Sequence, residues 1–161
     1  MFVPFDQLPD DARLWFYVAS RPFLPEELPE IEAALESFVA DWKAHQIPLQ
    51  ASFQIFARQV IILGVDTRKT SPSGCAIDAS VSALRALEQR FALNLLDQGK
   101  ILFRHKDQHH ITTVSTLKKA IANQYLQAHT PVLNTLAQTK AEWEQQPLPL
   151  AQDTWLKRYF S

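Results

Sequence analysis

VIILGVD, residues 60–66, is apolar at almost every position. A continuous apolar run of this length predicts a strand buried on both faces. Just before it, QASFQIF (residues 50–56) alternates, with Ala51, Phe53 and Ile55 on one side and Ser52 and Gln54 on the other. That alternation predicts a half-exposed strand. Only residues 57–59 separate the two runs, so the pair reads as a hairpin.

Working outward, RLWFYVA (13–19) is a second continuous apolar run and KILFRH (100–105) a further strand candidate. Ile31, Leu35, Phe38 and Trp42 recur at helical spacing, as do Ile77, Val81, Leu84, Leu87 and Phe91. The order strand, helix, strand, strand, helix, strand is the βαββαβ pattern of an α+β, ferredoxin-like antiparallel sheet with two helices on one face. That architecture places residues 13–19 and 60–66 at the centre, and residues 50–56 and 100–105 at the edges. Two helices cover one face only, so central strands that are apolar in both directions require a second covering layer. Either the C-terminal third or a second copy of the chain supplies it.

The division expected is a core over residues 1–106 and a C-terminal extension over 107–161 packed on it as one structural unit. KDQHH turns into a short fifth strand, HITTV. A Ser115 or Thr116 cap precedes a helical stripe of Leu117, Ile121 and Leu126. A short helix is expected around residues 139–146, with Trp143, Trp155, Tyr159 and Phe160 as anchors. Trp15 and Tyr17 are expected to pack against this tail or a partner.

Composition narrows the function. The net charge is −1 over 161 residues with mixed signs throughout, which gives no electrostatic footprint for nucleic acid or an anionic membrane. No apolar stretch is long enough to span a bilayer, so membrane insertion is not expected. The opening MFVPFDQLPDDAR has no basic region followed by an apolar run, and one cysteine cannot form an internal disulfide, so a cytoplasmic location is expected. Three glycines, with no GxxxxGK[ST] and no GxGxxG, leave no phosphate-cradling loop. No cofactor is expected.

The one segment with candidate chemistry is TRKTSPSGCAID. Cys75 lies near a helix start, where unsatisfied N–H groups favour a thiolate, and Arg68 and Lys69 act in the same direction. The plainer reading has Ser71 or Ser73 as the cap, Gly74 allowing close backbone approach and Cys75 as a small buried hydrophobe. Asp66, Arg68, Ser73, Gly74, Cys75 and Asp78 are the candidate ligand-binding residues, with Cys75 the only catalytic candidate. Asp66 and Asp78 bracket the loop. His105 and His110 face each other across the KDQHH turn, with His109 and Asp107 beside them, but the thiolates that mark structural zinc sites are missing and no metal is expected.

FDQLPDDARLWFYVASR, the SGCAID loop and TKAEWEQQPLPLAQDTWLKRYF together resemble a family of uncharacterised bacterial proteins of about this length. Its members carry an SGCSID version of the loop and a TKxE…W…P…SWHxRF ending. Ala76 here replaces the serine, and Leu156 stands where the family pattern has histidine. Some members are labelled "ABC transporter ATPase", but this chain has neither a Walker A loop nor an LSGGQ-type signature, and the resemblance implies no catalytic residues. The expected role is a non-catalytic binding or accessory protein acting on a protein or small molecule, possibly homodimeric, through a surface or a groove bounded by the Cys75 loop. The alternative is a small thiol-dependent enzyme or ligand-binding protein using Cys75.

Overall fold

The computed structural model describes residues 1–160. It is a mixed α+β fold with antiparallel sheets. The strands are β1 (Arg13–Val18), β2 (Lys43–Ala44), β3 (Ile47–Pro48), β4 (Ala51–Phe56), β5 (Val60–Val65), β6 (Lys100–His105) and β7 (Gln108–Thr113). The helices are α1 (Leu28–Ala40), α2 (Gly74–Phe91), α3 (Leu117–Ala122) and α4 (Lys140–Gln145), joined by short 3₁₀ turns.

The main sheet has three strands in the order β1-β5-β4. β5 is central and buried at all six positions, as its apolar run requires, and β4 lies at an edge, as its alternation requires. The β4–β5 hairpin forms in the register Ala51↔Val65 to Phe56↔Val60.

The four-stranded ferredoxin-like order is not what is observed. β1 is an edge strand, paired with β5 alone and antiparallel to it, from Arg13↔Val65 to Val18↔Val60. The three strands present keep the orientation that pattern requires, β4 parallel to β1 and β5 antiparallel to both; what is missing is a fourth strand beside β1. Residues 43–48, which show no period in the sequence, add a small β2–β3 hairpin between α1 and β4 outside this sheet. Meanwhile β6 pairs with the neighbouring β7 through a tight turn at Lys106 and Asp107, forming a separate two-stranded sheet. Local pairing closes a very short loop, at far less entropic cost than docking β6 beside β1.

The two-residue hairpin turns at His45-Gln46 and Lys106-Asp107 hold positive φ at both residues, the twist-matched geometry for such loops, as do Ala57 and Arg58 of the three-residue β4–β5 loop. None contains glycine, which is why a chain with three glycines conceals its turns.

Both faces of the sheet are covered. On one, Tyr17, Ile61, Leu63 and Val65 pack against Ile31, Leu35 and Val39 of α1 and Leu84 and Leu87 of α2. On the other, Leu14, Phe16, Val18, Val60 and Ile62 meet Leu102, Leu133 and Trp143. The second layer is therefore the C-terminal third of the same chain. Trp15 and Tyr17 pack on the helix side, Trp15 against Trp42 at 6.2 Å, and not against the tail, one of the two contacts expected for them. Alternation along β1 sends its even-numbered residues to the tail instead.

The α2 stripe holds at Leu84 and Leu87, which are buried, and at half-buried Phe91, but in the first two turns Ala76 and Ser80 are buried where Ile77 and Val81 were expected, and those two are half-buried. Gly64 permits a close approach on the second face, since a Cβ there would lie 2.7 Å from a methyl of Leu8 and 3.0 Å from one of Leu14. The lead-in carrying Leu8 is tied to α4 by buried Lys140, whose ammonium donates to the carbonyls of Asp6 (3.0 Å) and Leu8 (2.8 Å). Of the expected anchors, Trp143 is buried, Tyr159 and Phe160 are half-buried, and Trp155 is exposed. Leu156 is fully buried among Leu117, Leu126 and Ala151. Among the described residues no helix is long and apolar enough to cross a membrane.

Candidate functional site

The Cys75 loop leaves β5 at Asp66 and enters α2 at Gly74. Asp66 is buried, and Arg68 binds it through Nε to Oδ1 (3.0 Å), Nη2 to Oδ2 (2.8 Å) and its own backbone N–H (3.0 Å). The Arg68 hydrogen bonds hold the Asp66 carboxyl below its ordinary value, against burial, which acts to raise it. The pair closes the loop on itself. Ser73 caps α2, accepting from the Ala76 N–H at 3.2 Å.

Gly74 has no atom within 4 Å of where a Cβ would stand, so no close approach explains it. Cys75 is exposed, which corrects the reading of it as a buried hydrophobe. The residue that packs inward is its neighbour Ala76, whose carbonyl accepts from the Trp42 indole N–H at 2.8 Å. Asp78 is exposed on α2. A cavity of about 200 Å³ between Ile47, Gln50, Asp66 and Thr70 includes Asp66 but none of Arg68, Ser73, Gly74, Cys75 or Asp78. The six candidates thus share a loop and a helix start without lining one pocket. Iodoacetamide is expected to label Cys75 in the folded protein; protection until unfolding, read by mass spectrometry, would contradict this placement.

The histidines lie on the β6–β7 hairpin. His105 is paired with Gln108 and His110 with Phe103, so His105 and His110 are diagonal neighbours, 5.9 Å between ring centroids. Burial, then Arg104 and His110, lower the pKa of His109, which meets Phe56 edge-on at 6.2 Å. Among the described residues no three His, Cys, Asp or Glu side chains are grouped to hold a metal ion.

The feature that single-strand reading misses is the outer edge of β1. The Ala19 N–H bonds to Gln59 (2.8 Å), so the odd-numbered residues of β1 face β5 and Leu14, Phe16 and Val18 turn their backbone groups outward. At one end the Leu14 N–H donates to Gln138 (3.0 Å), and the Lys140 N–H to Ala12 (3.0 Å), an antiparallel rung made by the chain itself. At the other end the Ser20 N–H donates to Leu93 (3.0 Å). Between these stops, the C=O of Leu14 and both backbone groups of Phe16 and Val18 have no partner among the described residues. A cavity of about 390 Å³ lies along this edge, lined by Arg13, Trp15, Tyr17, Gln98, Leu136 and Gln138. Leu136 is 68% exposed at its rim, and the lining contains one cation and no carboxylate. The only sequence signal for the edge was the expectation that β1 needed two neighbours.

The chain matches no protein-family model, no curated protein and no solved structure.

Proposed function

We propose that the protein is a non-catalytic binding or accessory protein, and that its recognition surface is the open edge of β1, where an extended segment of a partner polypeptide adds as a fourth strand. The supporting observation is the interrupted lane: the chain's own residues 138–140 pair with residues 12–14 at one end, and the same lane continues unfilled past Phe16. Unpaired strand edges accept extended chains through backbone hydrogen bonds, with side-chain pockets setting preference. From Leu14 to Val18 the lane is about 14 Å long, room for a segment of three to four residues. The Leu93–Gln98 and Thr135–Gln138 flanks admit a single strand more readily than the equally flanked β1 of a second copy. Arg13, with no carboxylate nearby in the lining, favours an acidic or neutral segment. The competing reading, a thiol enzyme built on Cys75, has no base in contact with the thiol among the described residues.

Amide hydrogen exchange tests the lane directly. Phe16 and Val18 amides are expected to exchange faster than those of Trp15 and Tyr17, which face β5. Peptides selected from a displayed random library on the full chain are expected to protect Phe16 and Val18, and to lose binding when alternate backbone nitrogens are N-methylated. Selected peptides that leave those amides unchanged would overturn the proposal, as would a selection that enriches nothing. A light-scattering mass of two chains, with the same amides protected, would put a second copy in the lane instead of a peptide.

A further inference from the structure

Away from β1, the β6–β7 hairpin and α3 enclose a cleft of about 400 Å³. Its floor is flat and aromatic: the His110 ring is stacked on Phe103, itself 2% exposed, with centroids 5.6 Å apart and planes 26° apart. At the rim stands Tyr125, 48% exposed, its ring 5.3 Å from His105 and 6.1 Å from His110. The opposite wall is α3, which presents Lys119, with Asn123 at its C-terminal cap.

The polar groups here divide into two kinds. The Thr112 hydroxyl is satisfied by Thr116 at 2.9 Å. The Lys119 ammonium, the Asn123 carboxamide and the Tyr125 hydroxyl make no hydrogen bond or ion pair among the described residues. No carboxylate lines the cleft, and the sequence contains none between Asp107 and Glu142, although the chain has 17 acidic residues. The lysine is therefore not neutralised by its own surroundings. A flat aromatic floor beside an unpaired cation and two hydrogen-bonding groups fits a ligand with one planar ring and one negative group.

We infer that this cleft binds a small aromatic anion, its ring laid on His110, which buried Phe103 backs, and its anionic group held by Lys119 with Asn123 or Tyr125. The anionic group is a carboxylate or a phosphate, and two probes distinguish these. Sodium benzoate and AMP are each titrated into the full chain while side-chain NMR signals of His110, Lys119 and Tyr125 are followed. At millimolar concentrations at least one of them is expected to shift those signals saturably, and uncharged benzyl alcohol is not. Lys119→Met, at an exposed position, is expected to weaken binding about tenfold with the fold unchanged. Saturable shifts with neither anion would overturn the inference. Equal binding of benzyl alcohol would do so too, as would a Lys119→Met protein that binds as tightly as the parent.

Discussion

Trp143→Ala is expected to lower stability by about 3–5 kcal/mol, the range for deleting a large buried aromatic side chain. Trp143 is 3% exposed on the C-terminal face of the sheet. Its ring packs on Phe16 at 5.3 Å and on Phe56 at 5.2 Å, and its indole N–H donates to Gln54 at 3.3 Å. It is thus a bolt between the α4 helix and two strands. Truncation removes the aromatic area and leaves a void that the surrounding strands cannot collapse to fill. Urea denaturation should show a lower midpoint with little change in slope. Trp155, 42% exposed, supplies the control: Trp155→Ala is expected to stay within roughly 0.5 kcal/mol of the parent. Similar losses for the two tryptophans would mean that the C-terminal third does not form a packed second layer.

The second large effect is on the acid limb of stability. The Glu27 carboxylate accepts both guanidinium nitrogens of Arg21, each at 2.9 Å, and the Leu24 N–H at 2.8 Å. The Arg21 hydrogen bonds, followed by the Leu24 bond, lower its pKa from 4.5 to about 2, against a smaller opposing effect of burial. Arg21 also donates to the Phe91 carbonyl at 2.6 Å, so the pair ties the start of α1 to the end of α2. A carboxylate whose pKa is lower when folded stabilises the fold fully above its unfolded value and loses that contribution as pH falls toward the folded value. Glu27→Gln is therefore expected to cost roughly 1.5–3 kcal/mol near neutral pH, the range for hydrogen bonds to a charged group. The deficit should shrink from pH 4.5 downward and close near pH 2. Urea midpoints measured across that interval check it, and a deficit independent of pH would assign the loss to shape rather than charge.

The parts of the fold legible beforehand share one property: each follows from the residue's own neighbours in the chain. The uninterrupted run of β5, the alternation of β4, the stripe on α1 and the capping serine of α2 are of this kind. The demand for a cover on both faces followed too, since Phe16 and Tyr17 point opposite ways from one strand. The place of β6 did not. It was decided by a Lys106-Asp107 turn, without the glycine that usually marks one, which pairs β6 with β7 instead of with β1.

The candidate sites divide along the same line. That Cys75 stands beside a helix start was readable, but whether its side chain faced inward depended on how α2 is rotated on the sheet. A shift of one position put Ala76 inside and the thiol outside. The aromatic cleft left a partial trace in the paired histidines and in the long stretch without acids. Its assembly needed Lys119 brought across from α3, with Asn123 and Tyr125 from the turn that follows it.

The sequence by itself determined the fold class, the buried central strand and the need for two covering layers, because burial pattern is a local property that periodicity records. Only the tertiary structure decided which strand lies at the edge, what covers the second face and where unpaired groups converge. Those depend on contacts between segments far apart in the chain, and a chain's direction after each turn is set by a few backbone angles that composition does not reveal.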